Sequence, residues 1–393
     1  MNRVRALVVL GTRPEAVKLF PVIRALRSDE RIEVSVCFTG QHQEMVEQIL
    51  SPFGIRPDAD LGIMEPGQTL NGIAGRVLPK LDALYAEICP GIVLVQGDTT
   101  SAFAAALAAF HRGIKVAHVE AGLRSFNRFH PFPEESNRRM IGAVADLHLA
   151  PTGRSAENLL REGIARSDIV ITGNTGVDGL LAALGNPGSE SSTYEPTGDG
   201  RMVLITVHRR ESWAEDTAGG DLAIEDIFGG LAEAASEHPT VDFVYPVHLN
   251  PKVREPARKL LGGRKNLHLL DPQPYLPFVG LMARATAIVT DSGGIQEEAP
   301  SLGVPVFVVR KTTERPEGLE CGSNRLVGTD RSAISRAIRE ALASPRPRPK
   351  RLPLENPFGD GKAAERTRQA VLNLFGLGER PEEFQTSQQT RMK

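Results

Sequence analysis

The sequence predicts an α/β protein with two doubly wound, Rossmann-like domains that face a central cleft. Short runs rich in Val, Ile and Leu recur along its 393 residues, and a turn and a helix-like segment follow each run. A chain of this length exceeds one ordinary hydrophobic core. The alternation stops once, between Gly179 and Gly200, and then resumes. These observations predict one domain over residues 1–175 and a second over residues 176–359.

The predicted first domain has these apolar runs, in chain order: "VRALVVL", "IEVSVCF", "GIVLVQG", "IKVAHVE", "ADLHLAP" and "DIVITGN". Strands of a parallel sheet that is covered on both faces are apolar along their whole length. Helix-like segments separate the runs, which is typical of repeated strand–helix units. The first domain is therefore expected to be a parallel sheet between two layers of helices.

The predicted second domain repeats the pattern with the runs "RMVLITV", "VDFVYPV", "NLHLL", "ATAIVT" and "VPVFVV". The proline-rich stretch "ASPRPRPKRLPLENP" that follows is incompatible with regular structure. Beyond it, "GKAAERTRQAVLNLFG" predicts an amphipathic helix at about residues 360–377 that ends at a glycine. Residues 379–393 have the composition of a disordered tail.

Composition limits the partners and the compartment. A net charge of −2, with 24% charged and 41% hydrophobic residues, gives no reason to expect a nucleic-acid partner. No apolar run reaches the length of a membrane span, so no membrane association is expected. The three cysteines form no CxxC pair and no metal-type spacing with histidine, which predicts neither disulfides nor a metal site. We expect a cytoplasmic protein.

Polar residues that can bind ligands or exchange protons follow several of the predicted strands. Ligands of doubly wound sheets bind beyond the carboxyl ends of the strands. Any one such residue is more often a helix cap or a turn residue, but their occurrence at six strand ends favours a site. The residues are Arg13, Asp98, Glu120, His208, His248, and Asp291 with Ser292.

Two segments have the features of an anion site. The stretch "TDSGGIQEEAPSLG" joins two apolar runs through a Ser-Gly-Gly turn, where backbone N–H groups can approach a phosphate and a helix begins. The carboxylates of this stretch, Glu297 and Glu298, can accept hydrogen bonds from sugar hydroxyls. The segment "GTRPEAVKLFPVIRAL" combines a glycine turn with Arg13 and, one turn further on, Lys18. A nucleotide carries both a phosphate and a sugar, so it is the predicted ligand.

Acidic residues bracket a loop of unusual composition. In "HVEAGLRSFNRFHPFPEESNRR", Glu120, Glu134 and Glu135 flank prolines and aromatics that no simple connection requires. The segment "TVHRRES" adds His208, which can exchange protons near neutral pH. The sequence has no GxGxxG after a strand, no GxxxxGK[ST] and no HExxH. We therefore expect no bound NAD, no P-loop and no zincin site.

Motifs spread from about Val4 to Leu377 resemble, in the same order, those of the non-hydrolysing UDP-N-acetylglucosamine 2-epimerases: "GTRPEAVKLFP", "TGQH", "QGDTTS", "HVEAGLRS", "PFPEESNRR", "VHRRES", "YPVHLNP", "DSGGIQEEAPSLGVP", "TTERPEG" and "NPFGDGKAAER". The resemblance implies the GT-B-like fold shared with certain glycosyltransferases, a homodimer, and a C-terminal helix that crosses back to the first domain. It also implies a UDP-sugar substrate, no cofactor, and reversible C2 epimerisation of UDP-N-acetylglucosamine to UDP-N-acetylmannosamine. That reaction eliminates UDP to form a glycal and then adds it back.

The resemblance implies roles for residues in the matching motifs. The catalytic set would be Asp98, Glu120, Glu134 and His208. The diphosphate would be held by Arg13, Ser292, Gly293 and Gly294. The charged wall would be completed by Lys18 and Arg315, and Glu298 would accept hydrogen bonds from the ribose. Which acid removes the C2 proton and which returns it stays open.

Some members of the family are activated by a second substrate molecule, and Gln41 and His248 match that site. Glu44 and Gly67 differ from the residues that such members carry, so weak or altered activation is expected. The alternative functions are a UDP-2,3-diacetamido uronic acid epimerase, a hydrolysing variant that releases N-acetylmannosamine, a GT-B glycosyltransferase and a non-catalytic nucleotide-sugar sensor.

Overall fold

The chain forms two compact units. The computed structural model describes residues 3–40, 43–65, 67–191, 194–197, 199–208, 223–343 and 355–386. Met1–Ala182 together with Phe358–Lys393 make up the N-terminal unit, and Ala183–Pro357 make up the C-terminal unit. The unit boundaries thus follow residues 182 and 357, where the sequence predicted 175 and 359. Each unit has its own parallel sheet, so the predicted pair of doubly wound α/β domains is confirmed.

The sheet of the N-terminal unit has seven parallel strands in the order β3-β2-β1-β4-β5-β6-β7. The strands are β1 (Val4–Leu10), β2 (Ile32–Phe38), β3 (Ala59–Asp60), β4 (Ile92–Gln96), β5 (Lys115–Val119), β6 (Leu147–Ala150) and β7 (Ile169–Ile171). Every residue of β4 is buried, as its uninterrupted apolar run predicts. Six of these strands are the predicted runs, and the short edge strand β3 is an addition.

Helices follow the strands of this unit, and residues of the polar turns cap several of them. The helices are α1 (Arg13–Arg27), α2 (Gln43–Leu50), α3 (Leu70–Ile88), α4 (Thr100–His111), α5 (Glu134–Val144), α6 (Gly153–Arg161) and α7 (Thr175–Leu184). Thr69, Thr99 and Thr152 each accept a backbone N–H of the first turn of their helix. At α1, Thr12 and Glu15 form a capping box. These local signals decide where the helices begin.

The sheet of the C-terminal unit has six parallel strands in the order β10-β9-β8-β11-β12-β13. The strands are β8 (Met202–Thr206), β9 (Asp242–Pro246), β10 (Leu267–Leu270), β11 (Ala287–Thr290), β12 (Val306–Val308) and β13 (Asn324–Leu326). The described helices are α8 (Ala223–Glu237), α9 (Pro251–Leu261), α10 (Tyr275–Arg284), α11 (Gly293–Glu298), α12 (Pro316–Glu320) and α13 (Arg331–Ala343). Phe228, Phe243 and Tyr245 are among the largest buried side chains of its core.

The strand order of each sheet reverses once, and ligands of such sheets bind at that switch point. In the N-terminal unit the switch lies between β1 and β4, which lead into Arg13 and Asp98. In the C-terminal unit it lies between β8 and β11, which lead into His208 and Ser292. Both switch points therefore carry residues that the sequence predicts to be functional.

The last helix, α14 (Ala363–Leu374), belongs to the N-terminal unit and packs against α1. Asp178 of α7 accepts hydrogen bonds from the N–H of Ala364 at 2.8 Å and of Ala363 at 3.3 Å, and so closes the start of α14. Arg368 of α14 forms an ion pair with Asp29. The chain thus returns to its first unit through specific polar contacts.

The prediction of a disordered tail is wrong for residues 379–386. The N–H of Phe384 donates to the carbonyl of Ile171 at 2.8 Å, and Arg380 donates to the carbonyl of Ser167 at 2.7 Å. Phe384 is buried, and Glu383 pairs with Arg166. The physical reason is that β7 is an edge strand with unpaired backbone groups, which the tail satisfies. Residues 387–393 lie outside the described residues.

None of the described helices has the length and apolar composition that a membrane crossing requires.

Candidate functional site

A carboxylate at the end of β5, Glu120, lies at the centre of a buried polar cluster in the N-terminal unit. Its Oε1 accepts hydrogen bonds from Lys18 Nζ and, at 3.2 Å, from Asn174 Nδ2. Its Oε2 accepts one from Gln96 Nε2. All four residues are at most 9% exposed. The structure therefore brings together Lys18 and Glu120, and adds two amides that the sequence did not predict.

The backbone of Glu120 has an uncommon conformation. Its φ is +66°, in the left-handed region that non-glycine residues rarely adopt. Gly122 follows at φ +89°, and a Cβ there would lie 2.2 Å from the carbonyl oxygen of Ser155. The turn after β5 is thus shaped by close packing against α6. Strained backbone of this kind is concentrated at functional sites.

Asp98 lies after β4 and is fixed by residues of α5. Its Oδ2 accepts a hydrogen bond from Arg138 Nε at 2.7 Å, and its backbone carbonyl accepts one from Asn137 Nδ2 at 2.8 Å. Arg138 is buried and also donates to Glu135 Oε2 at 3.2 Å. Asp98 itself is half-buried. The guanidinium thus fixes this carboxylate through its Oδ2.

The two adjacent glutamates at the start of α5 have different surroundings. Glu135 is buried and accepts the backbone N–H groups of Ser125 at 2.9 Å and Phe126 at 3.2 Å, so it fixes the preceding loop. Glu134, the member of the pair predicted to be catalytic, is half-buried. In the loop itself, Phe129 and Phe132 are exposed. Glu135 is thus a loop anchor.

Glu15 joins the two loops at the switch point of the N-terminal unit. Its Oε2 accepts the N–H groups of Gly11 and Thr12, both at 2.7 Å, and its Oε1 accepts the hydroxyl of Thr99 at 2.6 Å. Burial raises the pKa of this carboxyl, and the three hydrogen bonds oppose that shift. The loop of Arg13, which is half-buried, is thereby tied to the loop of Asp98. Sequence reasoning missed Glu15, although its position three residues after Thr12 is typical of a capping box.

In the C-terminal unit, His208 is held beside Asp291. The backbone N–H of His208 donates to Asp291 Oδ2 at 2.9 Å, and His208 Nδ1 lies 3.5 Å from Asp291 Oδ1. The ring of His248 stacks on that of His208, with centroids 5.8 Å apart. Both histidines are exposed, whereas Asp291 is fully buried. Three predicted residues from different strand ends, His208, His248 and Asp291, are therefore neighbours. Gln41, the other residue of the predicted second site, lies outside the described residues.

The Ser-Gly-Gly turn after β11 begins α11, with Ser292 at the N-cap position. Arg315 lies directly over this turn, because a Cβ on Gly293 would be 2.5 Å from its guanidinium carbon. A Cβ on Gly294 would be 3.4 Å from Glu298 Oε1, so that carboxylate lies over the same turn. The structure thus groups all five residues that the sequence assigned to a nucleotide in this unit: Ser292, Gly293, Gly294, Glu298 and Arg315.

Two carboxylates hold the guanidinium of Arg315. Its Nε donates to Glu297 Oε1 at 2.7 Å, and its Nη1 donates to Glu314 Oε1 at 2.6 Å. Arg310 donates to the other oxygen of Glu314 at 2.9 Å. Of the two adjacent glutamates, Glu297 therefore fixes the arginine, while Glu298 borders the turn. Paired in this way, a buried guanidinium keeps one orientation above the glycines.

No group of His, Cys, Asp and Glu side chains among the described residues has the arrangement of a metal site.

Sequence reasoning missed several residues of these clusters: Gln96, Asn174, Arg138 and Glu314. Gln96 closes an apolar strand and Asn174 follows β7, so a wider search for polar residues at strand ends finds both.

Comparison with known proteins identifies the family of this chain. The sequence profile described as UDP-N-acetylglucosamine 2-epimerase matches residues 24–372. The chain belongs to the UDP-N-acetylglucosamine 2-epimerase family. A relative from Escherichia coli (strain K12), named UDP-N-acetylglucosamine 2-epimerase, is 48% identical over 377 residues, which cover 94% of this chain and 98% of the relative. The Bacillus subtilis (strain 168) protein of the same name is 44% identical over 385 residues, covering 98% and 99%.

Solved structures of the 2-epimerase family share the fold. The UDP-GlcNAc 2-epimerase from Neisseria meningitidis bound to UDP-GlcNAc is 42% identical, with a TM-score of 0.86, over 94% of this chain and all of that one (100%). A putative UDP-N-acetylglucosamine 2-epimerase from Listeria monocytogenes is 40% identical, with a TM-score of 0.89, over 98% and 100%. The glycotransferase of kitacinnamycin, 12% identical over 96% of this chain and 97% of its own, shares the fold alone, with a TM-score of 0.59. The predicted GT-B-like fold class is therefore confirmed.

Proposed function

We propose that this member of the family catalyses the reversible epimerisation of UDP-N-acetylglucosamine at C2, which yields UDP-N-acetylmannosamine. The observation that carries the proposal is the similarity, over nearly the whole chain, to proteins named for this activity. One of the similar structures was solved with UDP-GlcNAc bound. The polar clusters at both switch points supply the kinds of group that the reaction needs.

The reaction is an elimination followed by an addition. The C2 hydrogen is not next to a carbonyl group and has no useful acidity, so the C1–O bond to UDP must break as the C2 proton leaves. The electrons of the C2–H bond form the C1=C2 double bond of a glycal, and UDP departs with the electrons of the C1–O bond. In the return step, UDP attacks C1 and a proton is delivered to the opposite face of C2. No electrons are gained or lost overall, so no redox cofactor is required.

Inversion requires proton-handling groups on both faces of the sugar. We assign this work to Asp98, Glu120, Glu134 and His208. The fixed position of Asp98 beside Arg138 and of Glu120 within its cluster supports the assignment, because an acid–base group must be held in reach of the proton it transfers. His208 lies beside Asp291, and histidine is the residue type of the set that most readily exchanges protons near neutral pH.

We assign UDP to the turn at the start of α11. Leaving-group charge on the diphosphate is best stabilised by prearranged N–H donors and cations. Ser292, Gly293 and Gly294 offer backbone N–H groups there, and Arg315 lies over them. Glu298, next to Gly294, accepts hydrogen bonds from the ribose hydroxyls. Arg13 completes the diphosphate contacts in this proposal.

The test is proton NMR of the purified protein with UDP-N-acetylglucosamine in deuterated water. The expected result is a new manno anomeric signal and deuterium at C2 of both nucleotide sugars. Release of free N-acetylmannosamine and UDP would identify a hydrolysing enzyme instead. An unchanged spectrum, together with turnover of a UDP-2,3-diacetamido uronic acid, would identify that nucleotide sugar as the substrate instead. An unchanged spectrum with both substrates would contradict the proposal.

The proposal includes a cytoplasmic homodimer. The composition and the three free cysteines support a reducing compartment. Sedimentation equilibrium measures the oligomeric state, and a monomer at micromolar concentration would contradict the dimer.

Activation by a second substrate molecule is proposed to be weak. The test is epimerisation of UDP-N-acetylmannosamine with no UDP-N-acetylglucosamine added, for which a normal initial rate is expected. A long lag that added UDP-N-acetylglucosamine removes would show strong activation instead.

A further inference from the structure

We infer that Gln96 and Asn174 are positioning residues that, together with Lys18, hold Glu120 as an ionised carboxylate in a single orientation. The inference rests on the proposed function, in which Glu120 handles a proton or developing charge at the sugar. It deepens that function by identifying the residues that set the chemical state of this carboxylate. It also moves Lys18 from the diphosphate, where the sequence placed it, to Glu120.

The donors around Glu120 decide its protonation state. An ammonium group has hydrogen atoms to donate and no lone pair to offer, and an amide NH2 likewise donates. Lys18 and Asn174 point such groups at Oε1, and Gln96 points one at Oε2. Three donors, one of them positively charged, stabilise the ionised form of the carboxyl more than its neutral form. The arrangement therefore fits a carboxylate that accepts hydrogen bonds, and Glu120 enters the reaction without a proton.

The amide of Asn174 has a defined orientation. The N–H of Gly176 donates to Asn174 Oδ1 at 2.8 Å, so the oxygen faces α7 and the NH2 group must face Glu120. An amide turned the other way would place Nδ2 against a backbone N–H and Oδ1 against a carboxylate oxygen. Both contacts would be repulsive. The side chain of Asn174 thus serves as a fixed donor, with 2% of its surface exposed.

Gln96 reaches Glu120 through the register of the sheet. Gln96 of β4 pairs with Val119 of β5, the residue directly before Glu120. The side chain at the end of one strand therefore lies beside the carboxylate that follows the neighbouring strand. Gln96 is 4% exposed, so its amide is removed from competing water. Two strand ends and α1 converge on one carboxylate in this way.

The returning C-terminal segment supports the turn of Asn174. The N–H of Asn174 donates to the carbonyl of Phe358 at 2.7 Å. A Cβ on Gly359 would lie 3.3 Å from the nitrogen of Asn174, and a Cβ on Gly173 would lie 3.4 Å from the Cα of Gly359. The two backbones therefore pack closely. The donor to Glu120 depends on the part of the chain that crosses back to the N-terminal unit.

The decisive variant is Asn174→Asp. It keeps the acceptor for the Gly176 N–H and the size of the side chain, but it replaces the donor to Glu120 with a second carboxylate. At pH 8 we expect kcat to fall about 100-fold, while KM and the Kd for UDP stay within about twofold, because misplacement acts on the chemical step. At lower pH the two carboxylates share a proton, which restores a hydrogen bond to Glu120 opposite Lys18. The deficit should therefore shrink as the pH is lowered.

Asn266→Asp is the matched control. Asn266 Nδ2 donates to the carbonyls of Ala235, His238 and Val241, so the same exchange removes a structural amide far along the chain. The control should lower Tm without changing kcat or its pH profile. If Asn174→Asp does not fold, Gln96→Glu makes the corresponding exchange at Oε2 and is judged by the same measurements.

Several results would overturn the inference. Wild-type kcat in Asn174→Asp would do so, and so would a loss of kcat that is independent of pH and matches that of the control. For Lys18, the variant Lys18→Met should lose kcat with an unchanged UDP affinity, and calorimetry that shows UDP binding lost would return Lys18 to the diphosphate. If the wild-type protein shows no epimerisation, the proposed function fails. The crystal structure of Asn174→Asp then decides: a displaced Glu120 side chain supports the inference and an unmoved one overturns it.

Discussion

Replacement of Asp178 by asparagine should make the protein more stable at neutral pH. Asp178 is buried and closes the start of α14 by accepting the N–H groups of Ala363 and Ala364. Burial raises the pKa of this carboxyl from 3.8 to about 6, against the opposing effect of the two backbone hydrogen bonds, and the nearby charge of Asp360 adds to the rise. Its ionisation is therefore costly in the folded state.

The magnitude follows from the shift. A rise from 3.8 to about 6 is about 2 pKa units, or about 3 kcal/mol at 1.36 kcal/mol per unit. Because the folded pKa is raised, the associated stability is fully present below pH 3.8 and is lost as the pH rises through about 6. Asparagine does not ionise and keeps the 2.8 Å bond from Ala364, but it gives up the 3.3 Å bond from Ala363 at a cost of about 1 kcal/mol. The net gain at pH 8 is about 2 kcal/mol, whereas at pH 4 the two proteins should agree within about 1 kcal/mol.

Urea unfolding of both proteins between pH 4 and pH 8 measures the difference in free energy of unfolding. Asp330→Asn is the matched control, because Asp330 also accepts a helix N–H, from Ala333 at 2.8 Å, but is exposed. Because Asp330 is exposed, its replacement should change the free energy of unfolding much less with pH than replacement of the buried Asp178. The reasoning is refuted if the Asp178→Asn difference is constant with pH, or if the wild-type protein gains on the variant as the pH rises.

Three further predictions concern the site and its support. Asp98→Asn keeps an acceptor for Arg138, so Tm should stay the same. Its kcat should fall about 100-fold or more, because acid–base catalysis is lost. Calorimetry that shows lost UDP binding would make Asp98 a binding residue instead. Glu298→Ala should weaken UDP binding about tenfold, the effect of one hydrogen bond to a charged group, and an unchanged Kd would exclude its ribose role. Gly122→Ala should lower the free energy of unfolding by several kcal/mol, because its Cβ would lie 2.2 Å from the carbonyl oxygen of Ser155; a wild-type urea midpoint would contradict the packing of this turn.

The long strands of both sheets could be predicted because their pattern is local. Each is a run of apolar residues between turns, and burial on both faces produces such runs wherever the strand lies in the sheet. The strands β3 and β13, with two and three residues, were not predicted. Neither segment is an uninterrupted apolar run, and both become strands because a neighbouring strand offers them hydrogen bonds.

The order of the C-terminal tail could not be predicted either, because it too depends on contacts with distant residues. Residues 379–386 have a polar, charged composition with little apolar content, which is typical of disorder. Their order comes from β7, whose edge receives the N–H of Phe384, and from Arg166, which pairs with Glu383. Neither partner is close in sequence, so composition alone could not reveal them.

The sequence by itself determined the two sets of strand–helix units, the turns that cap the helices, and the polar residues at the strand ends. These features depend on residues that are close together in the sequence, so the sequence alone reveals them. Only the tertiary structure decided which polar groups meet. Glu120 receives donors from Lys18, Gln96 and Asn174, which lie 102, 24 and 54 residues away. Strand order and register bring turns that are distant in sequence to one edge of a sheet. A hydrogen bond depends on the distance between donor and acceptor in space, which the sequence alone does not give.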